Sequence, residues 1–212
     1  MSAASRRSRL ILVRHGETEG ESSIRYHGRT DVALSDLGRQ QLRAARDEII
    51  RRHGPAHFDH VFASPLIRAI EGARIVGGDP ATIVTIDDFA EVHFGNFEGL
   101  TAEEIRDRFP EDYVQWNADR LAPTYTYPGG ESRVAFAERV DRGVEQMLAH
   151  LQLDHAAAIN VLVVAHRGVI RQIVRRLTGA EPHVELGSIQ ILKYDVRWHP
   201  LALDVIEHLA KP

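Results

Sequence analysis

The stretch Leu10-Ile-Leu-Val-Arg-His-Gly-Glu-Thr18 constrains this chain most. An apolar run with the pattern of a buried strand gives way abruptly to a cation, an imidazole and a glycine. In a parallel sheet the carboxyl ends of the strands open onto the crevice where ligands bind. Arg14 and His15 stand at that exit, and Gly16 lets the backbone turn beside them. The same arrangement returns in Asn160-Val-Leu-Val-Val-Ala-His-Arg-Gly168, so neighbouring strands would set His15 and His166 side by side. One histidine after a strand is ordinarily structural. Two such exits, each with an arginine and a glycine, favour an anion site containing a nucleophile. A charge such as Arg14 at the mouth of a core strand is costly without a partner, and a phosphate would be that partner.

The 212 residues suffice for a single α/β domain spanning 1–212. A formal charge of −4 and the lack of a long basic stripe argue against a nucleic-acid partner. The chain has no cysteine, hence no disulfide framework and no thiolate chemistry, which fits a reducing compartment. Residues 1–8 read as a basic, flexible tail, and the apolar run after it is too short for a signal peptide or a membrane span. A cytoplasmic protein without a membrane partner is the expectation. The sequence leaves open whether it works as a monomer or a homodimer.

Strand and helix patterns alternate along the chain. Strands are expected at Arg9–Val13, His60–Ala63, Ala81–Ile86 and Val161–Ala165, with closing strands Ser188–Tyr194 and Ala202–Ile206 around a turn at His199-Pro200. Helices are expected from Asp36 to about Arg52, capped by Ser35 and turning Leu37, Leu42, Ala45 and Ile49 inward, and from Pro65 to Ile75. Two more run from Ser132 to about Leu151 and from Gly168 to Leu177. The pattern predicts a three-layer α/β/α sandwich with a mainly parallel central sheet. Residues from about 87 to 130 read as an irregular cap or specificity insertion, with one short helix opened by the capping box Thr101/Glu104 and stopped at Pro110.

Phosphoryl transfer needs a nucleophile in line with phosphorus, fixed positive charge on the equatorial oxygens and a proton for the leaving alkoxide. His15 is the candidate nucleophile, since a neutral imidazole attacks without a general base if its other nitrogen is held by a carbonyl. Arg14 and Arg68 are candidate phosphate clamps, and His166 a stabiliser of the equatorial oxygens. Glu91, framed by Phe89, Phe94 and Gly95, is the candidate proton donor and later base, because desolvation there favours the protonated carboxyl. Glu98 reads as structural, at a helix entrance. His27, Gly28 and Glu21 complete the candidate substrate-binding set.

Arg14-His-Gly-Glu-Thr18 resembles the RHG signature of the histidine phosphatase superfamily, which also includes the cofactor-dependent phosphoglycerate mutases. Gly28–Gly38, Ser64-Pro-Leu-Ile-Arg-Ala69, Glu91 with Gly95, Pro128-Gly-Gly-Glu-Ser132 and Ala165-His-Arg-Gly168 continue the likeness in order over nearly the whole chain. The resemblance implies a phosphoglycerate mutase-like fold and phosphomonoester hydrolysis through a phosphohistidine at His15. It also implies Glu91 as acid and base, a pocket of Arg14, Arg68 and His166, and no cofactor or metal. The partner it implies is a small phosphorylated metabolite.

Two positions depart from the family pattern. Glu21 stands where Asn is frequent. A carboxylate facing a phosphate dianion is repulsive by about several kcal/mol at low dielectric, so Glu21 either turns away toward Arg25 or marks a differently charged substrate. Arg167 replaces a common glycine, as a rim cation or a solvated side chain. A phosphoglycerate mutase is the first alternative. Mutases resembling this chain carry Trp-Arg-Arg in the insertion, however, where it reads Trp116-Asn-Ala118, and Glu103, Glu104, Asp107, Glu111 and Asp112 make the insertion acidic. Net hydrolysis is therefore favoured. Tyr125–Ser132 resembles the enzyme that degrades fructose 2,6-bisphosphate, which makes a sugar bisphosphatase the second alternative. Twelve histidines also raise a metal-dependent hydrolase, but the arginines beside His15 and His166 disfavour a cation. A catalytically dead phosphate-binding module is the last rival, set aside because every charged member of the machinery is present.

Overall fold

The computed structural model of the chain describes residues 8–20, 24–54, 57–80, 82–151 and 158–209. Strand β1 (Ser8–Arg14) lies near the middle of a six-stranded sheet. It pairs in parallel with β4 (Asn160–Ala165), from Arg9 opposite Asn160 to Arg14 opposite Ala165. Beyond β4 come β2 (His60–Ala63) and a two-residue β3 (Val84–Thr85), both parallel to it. On the other side β5 (Ile189–Tyr194) is antiparallel to β1, and β6 (Trp198–Val205) is antiparallel to β5. The mainly parallel character holds, with β5 alone reversed.

Strand alternation sends Leu10, Leu12, Val161 and Val163 to one face of the sheet and Ile11, Val13, Leu162 and Val164 to the other. The first face packs on α5 (Arg133–Leu151) and α6 (Arg167–Thr178), the second on α1 (Asp36–His53) and α2 (Ile67–Gly77). Both faces of the central strands are thereby dry, which is why they read as unbroken apolar runs.

Several boundaries depart from expectation. Ser35 caps α1 as anticipated, accepting the Gly38 N–H at 3.1 Å, but Leu37 is exposed. Pro65 precedes α2 by two residues rather than opening it. Among the described residues the third strand is reduced to Val84–Thr85, and Ala81, its expected start, lies outside them. The last turn lies before Trp198, so His199 and Pro200 sit inside β6. Ser8 belongs to β1; the remainder of the expected tail, residues 1–7, is outside the described residues, as is Glu21.

The insertion is more ordered than the sequence suggests. Its capping box is formed, and α3 (Ala102–Arg108) ends before Pro110. Pro110 then serves as the first residue of a further helix, α4 (Pro110–Asp119), where a missing N–H costs nothing. Phe97, Ile105, Trp116 and Tyr125 give this segment a small apolar core of its own. Among the described residues no helix is long and apolar enough to cross a membrane.

Candidate active site

The β1/β4 register places Arg14 and Ala165 level, so the next residues, His15 and His166, leave the sheet side by side. Their ring centroids are 5.1 Å apart at 63°, and both side chains are buried. Gly16 follows because the chain passes hard against α1: a Cβ there would lie 2.3 Å from the Gly38 carbonyl oxygen.

The hydrogen bonds fix the tautomers. His15 Nδ1 is 2.8 Å from the Gly16 carbonyl. A carbonyl only accepts, so Nδ1 carries the proton and Nε2 presents a lone pair. Burial, with Arg68 and Arg14 close by, holds His15 well below the usual histidine pKa, and the ring is neutral near pH 7. His166 is depressed for the same reasons, burial foremost. Its Nε2 is 2.7 Å from Ser64 Oγ, which itself accepts the Leu66 N–H at 3.3 Å. Among the described residues the Ser64 hydroxyl proton meets no other acceptor, so it is donated to Nε2 and the proton of His166 resides on Nδ1.

Arg68, at the start of α2, is 0% exposed. Its terminal nitrogens donate to the carbonyls of Thr30 (2.8 Å), Gly28 (2.7 Å) and His27 (3.2 Å). Glu98 grips the opposite edge of that loop, accepting the N–H groups of Gly28, Arg29 and Thr30 at 3.1, 3.0 and 3.2 Å. Those bonds keep the Glu98 carboxylate ionised against its burial. Glu98 is thus structural, as expected, but its work is to orient the carbonyls that hold Arg68. Arg14 donates from Nη1 to the Val184 carbonyl at 3.1 Å, and burial lowers its pKa to about 10.

Three buried polar atoms here have no hydrogen-bond partner: Arg14 Nε, Arg68 Nε and His166 Nδ1. An unpaired buried donor costs about 1–3 kcal/mol, and three around one free imidazole nitrogen make a cradle suited to a tetrahedral oxyanion.

Glu91 follows β3 and is 8% exposed. Its Oε1 accepts the Val92 N–H at 3.0 Å and its Oε2 the Gly168 N–H at 3.1 Å, which ties it to the start of α6, two residues after His166. Behind it lies a strut that sequence reasoning missed. Arg139 of α5 donates to the carbonyls of Asp88 (2.8 Å), Ala90 (2.7 Å) and Glu91 (3.0 Å). It also makes a two-pronged pair with Glu131 at 2.7 and 2.9 Å. The only sequence cue was Glu131 within Pro128–Ser132, which by itself reads as a turn feeding the α5 cap.

The structure therefore gathers His15, Arg14, Arg68, His166 and Glu91. His27 is half-buried at the edge, with Nδ1 3.5 Å from Thr18 Oγ1. Both backbone groups of Gly28 are committed, to Glu98 and to Arg68, so it shapes the pocket rather than offering a free N–H. A cleft of about 730 Å³ opens beside Glu91, lined by Tyr26, Phe94, Trp116, Tyr127 and Arg167 among others. The acidic residues Glu103, Glu104, Asp107, Glu111 and Asp112 do not line it, and Glu104 is paired with Arg25 at 2.6 Å. Among the described residues no cluster of His, Asp or Glu is arranged to hold a metal ion.

Comparison with known proteins agrees with this geometry. A family model described as histidine phosphatase superfamily (branch 1) matches residues 10–197. A bifunctional protein of Mycobacterium tuberculosis is 34% identical over 197 residues, covering 88% of this chain and 50% of that protein. The chain thus spans about half the length of such relatives. A glucosyl-3-phosphoglycerate phosphatase of Mycolicibacterium vanbaalenii is 35% identical over 176 residues, 81% of this chain and 74% of that protein. The crystal structure of the alpha-ribazole phosphatase from Shigella flexneri superposes with a TM-score of 0.79 at 26% identity, covering 92% of this chain and 96% of the other.

Proposed function

The chain belongs to the histidine phosphatase superfamily, and on that premise we propose that it hydrolyses phosphomonoesters of small metabolites through a phosphohistidine at His15. The convergence of Arg14 Nε, Arg68 Nε and His166 Nδ1, buried and unpartnered around His15, carries this reading. Relatives named as phosphatases of glucosyl-3-phosphoglycerate and of alpha-ribazole phosphate support the reaction class.

His15 Nε2 attacks phosphorus while the bond to the ester oxygen breaks. Arg14, Arg68 and His166 meet the charge that grows on the equatorial oxygens. Glu91 gives its proton to the departing alkoxide; each of its oxygens retains an acceptor site beyond the N–H it binds. Glu91, now ionised, takes a proton from water, whose oxygen attacks the phosphohistidine. The P–N bond breaks, and inorganic phosphate leaves beside a neutral His15. Residues 87–130 act as the cap of one domain and govern access to this centre. The mutase alternative is disfavoured because Asn117 and Ala118 stand where paired arginines would hold phosphoglycerate.

A rapid quench with a phosphorylated substrate tests the reading. An acid-labile, base-stable label on His15 is expected, and His15→Ala should abolish both label and turnover. Label on serine, or turnover surviving in His15→Ala, would falsify it.

A further inference from the structure

The turn that carries His15 is held from behind by groups that the chemistry at phosphorus does not use. His15 Nδ1 donates to the Gly16 carbonyl, and that carbonyl belongs to the same peptide unit as the Glu17 N–H. A trans peptide is planar, with its C=O and N–H pointing in opposite directions. Whatever holds the Glu17 N–H therefore also aims the Gly16 oxygen. The holder is Gln41 of α1, whose Oε1 accepts the Glu17 N–H at 2.8 Å. Gln41 shares a face of α1 with Gly38. Gly38 is pressed so closely on the turn that a Cβ there would overlap the Glu17 carbonyl oxygen. That oxygen in turn accepts the Ser35 N–H at 3.0 Å. The preceding peptide unit is fixed as well, since the His15 carbonyl accepts the Gly187 N–H at 3.2 Å. Gly187 packs on the stem of Gln41, where a Cβ would lie 3.2 Å from Gln41 Cβ, and its own carbonyl accepts from His208 Nε2 at 2.9 Å.

We propose that Gln41 is a positioning residue for His15: by holding the Glu17 N–H it aims the Gly16 carbonyl, which keeps the proton on Nδ1 and the lone pair of Nε2 directed at phosphorus. Without that acceptor the peptide unit between Gly16 and Glu17 is free to rotate. The imidazole then loses its fixed partner, and its protonated and bare nitrogens exchange roles. Hydrogen bonds in a chain also polarise one another. The bond at the Glu17 N–H thus makes the Gly16 oxygen a stronger acceptor and His15 a better nucleophile. The inference deepens the reading of His15 as the phosphorylated residue and rests on it.

Gln41→Met keeps the stem and removes the acceptor, whereas Gln41→Glu keeps an acceptor at the same reach. On p-nitrophenyl phosphate, Gln41→Met should lower kcat about tenfold or more with KM nearly unchanged, because a misaimed nucleophile costs rate rather than binding. Gln41→Glu should restore kcat to within about threefold of the unmodified enzyme. ¹⁵N NMR of the His15 ring in the resting enzyme gives a readout independent of turnover. The unmodified protein should show a protonated Nδ1 and a bare Nε2, and Gln41→Met a mixture of the two tautomers. Gln41→Asn, whose acceptor falls one bond short, should reproduce both effects and serves if Gln41→Met does not fold. An unaltered kcat in these variants overturns the proposal. So does an unaltered His15 spectrum beside a loss of kcat that Gln41→Glu does not repair, since Gln41 would then support the fold alone. If the unmodified enzyme gives neither turnover nor label on His15, the phosphohistidine reading fails, and this inference with it.

Discussion

His15 is held neutral by its surroundings: burial removes the water an imidazolium needs, and the adjacent arginines repel a second cation. The hydrogen bond from Nδ1 to the Gly16 carbonyl then leaves only Nε2 to react. A similar economy governs Gly168. A Cβ there would sit 2.7 Å from Glu91 Oε1 and 2.9 Å from Phe136 Cζ, so Gly168→Ala must push the carboxyl off its anchor. General acid catalysis is worth about 10²–10⁴-fold. Gly168→Ala should therefore slow hydrolysis of alkyl phosphates by about 10²-fold while sparing p-nitrophenyl phosphate, whose leaving group needs no proton. Equal losses on both esters would remove Glu91 from the acid role.

At the scale of elements, α5 carries the strut that positions the segment before Glu91. Arg139 is 6% exposed and reaches three carbonyls and one carboxylate. Arg139→Met leaves Glu131 without its counter-charge, and breaking such a buried pair costs about 3–5 kcal/mol; chemical denaturation should register that loss. Arg139→Lys keeps the charge but cannot span the same carbonyls. It should retain most of the stability while lowering kcat for alkyl phosphates more than for p-nitrophenyl phosphate. If it lowers both alike, Arg139 supports the fold without positioning the acid.

For the whole molecule, two neutral histidines in the centre of the fold set a dependence on pH. His15 and His166 have folded pKa values well below 6.5. Below about pH 6.5 the unfolded chain binds protons that the folded one refuses, so stability falls as the pH falls. The slope is at most about 1.4 kcal/mol per pH unit for each histidine. Denaturation midpoints measured from pH 7.5 down to 5.5 should drop accordingly, and inorganic phosphate should offset the loss by favouring protonated rings beside an anion. A midpoint that rises on acidification would contradict the neutral assignment.

The two strand exits were legible in the sequence because a strand buried on both faces writes itself as an apolar run, and the polar residues that end it mark the crevice. From that follow His15, His166 and their arginines, and the capping signals of Ser35 and Thr101 set helix starts by local chemistry alone. Pro110 misled, since one proline both ends α3 and opens α4, and the sequence shows only the ending. Leu37 misled because helical spacing does not say which face is covered. The Glu98 grip on residues 28–30 and the Arg139 strut belong wholly to the tertiary structure. Each joins residues distant along the chain, and a charge acquires its partner, or goes without one, only when packing has removed the water between them.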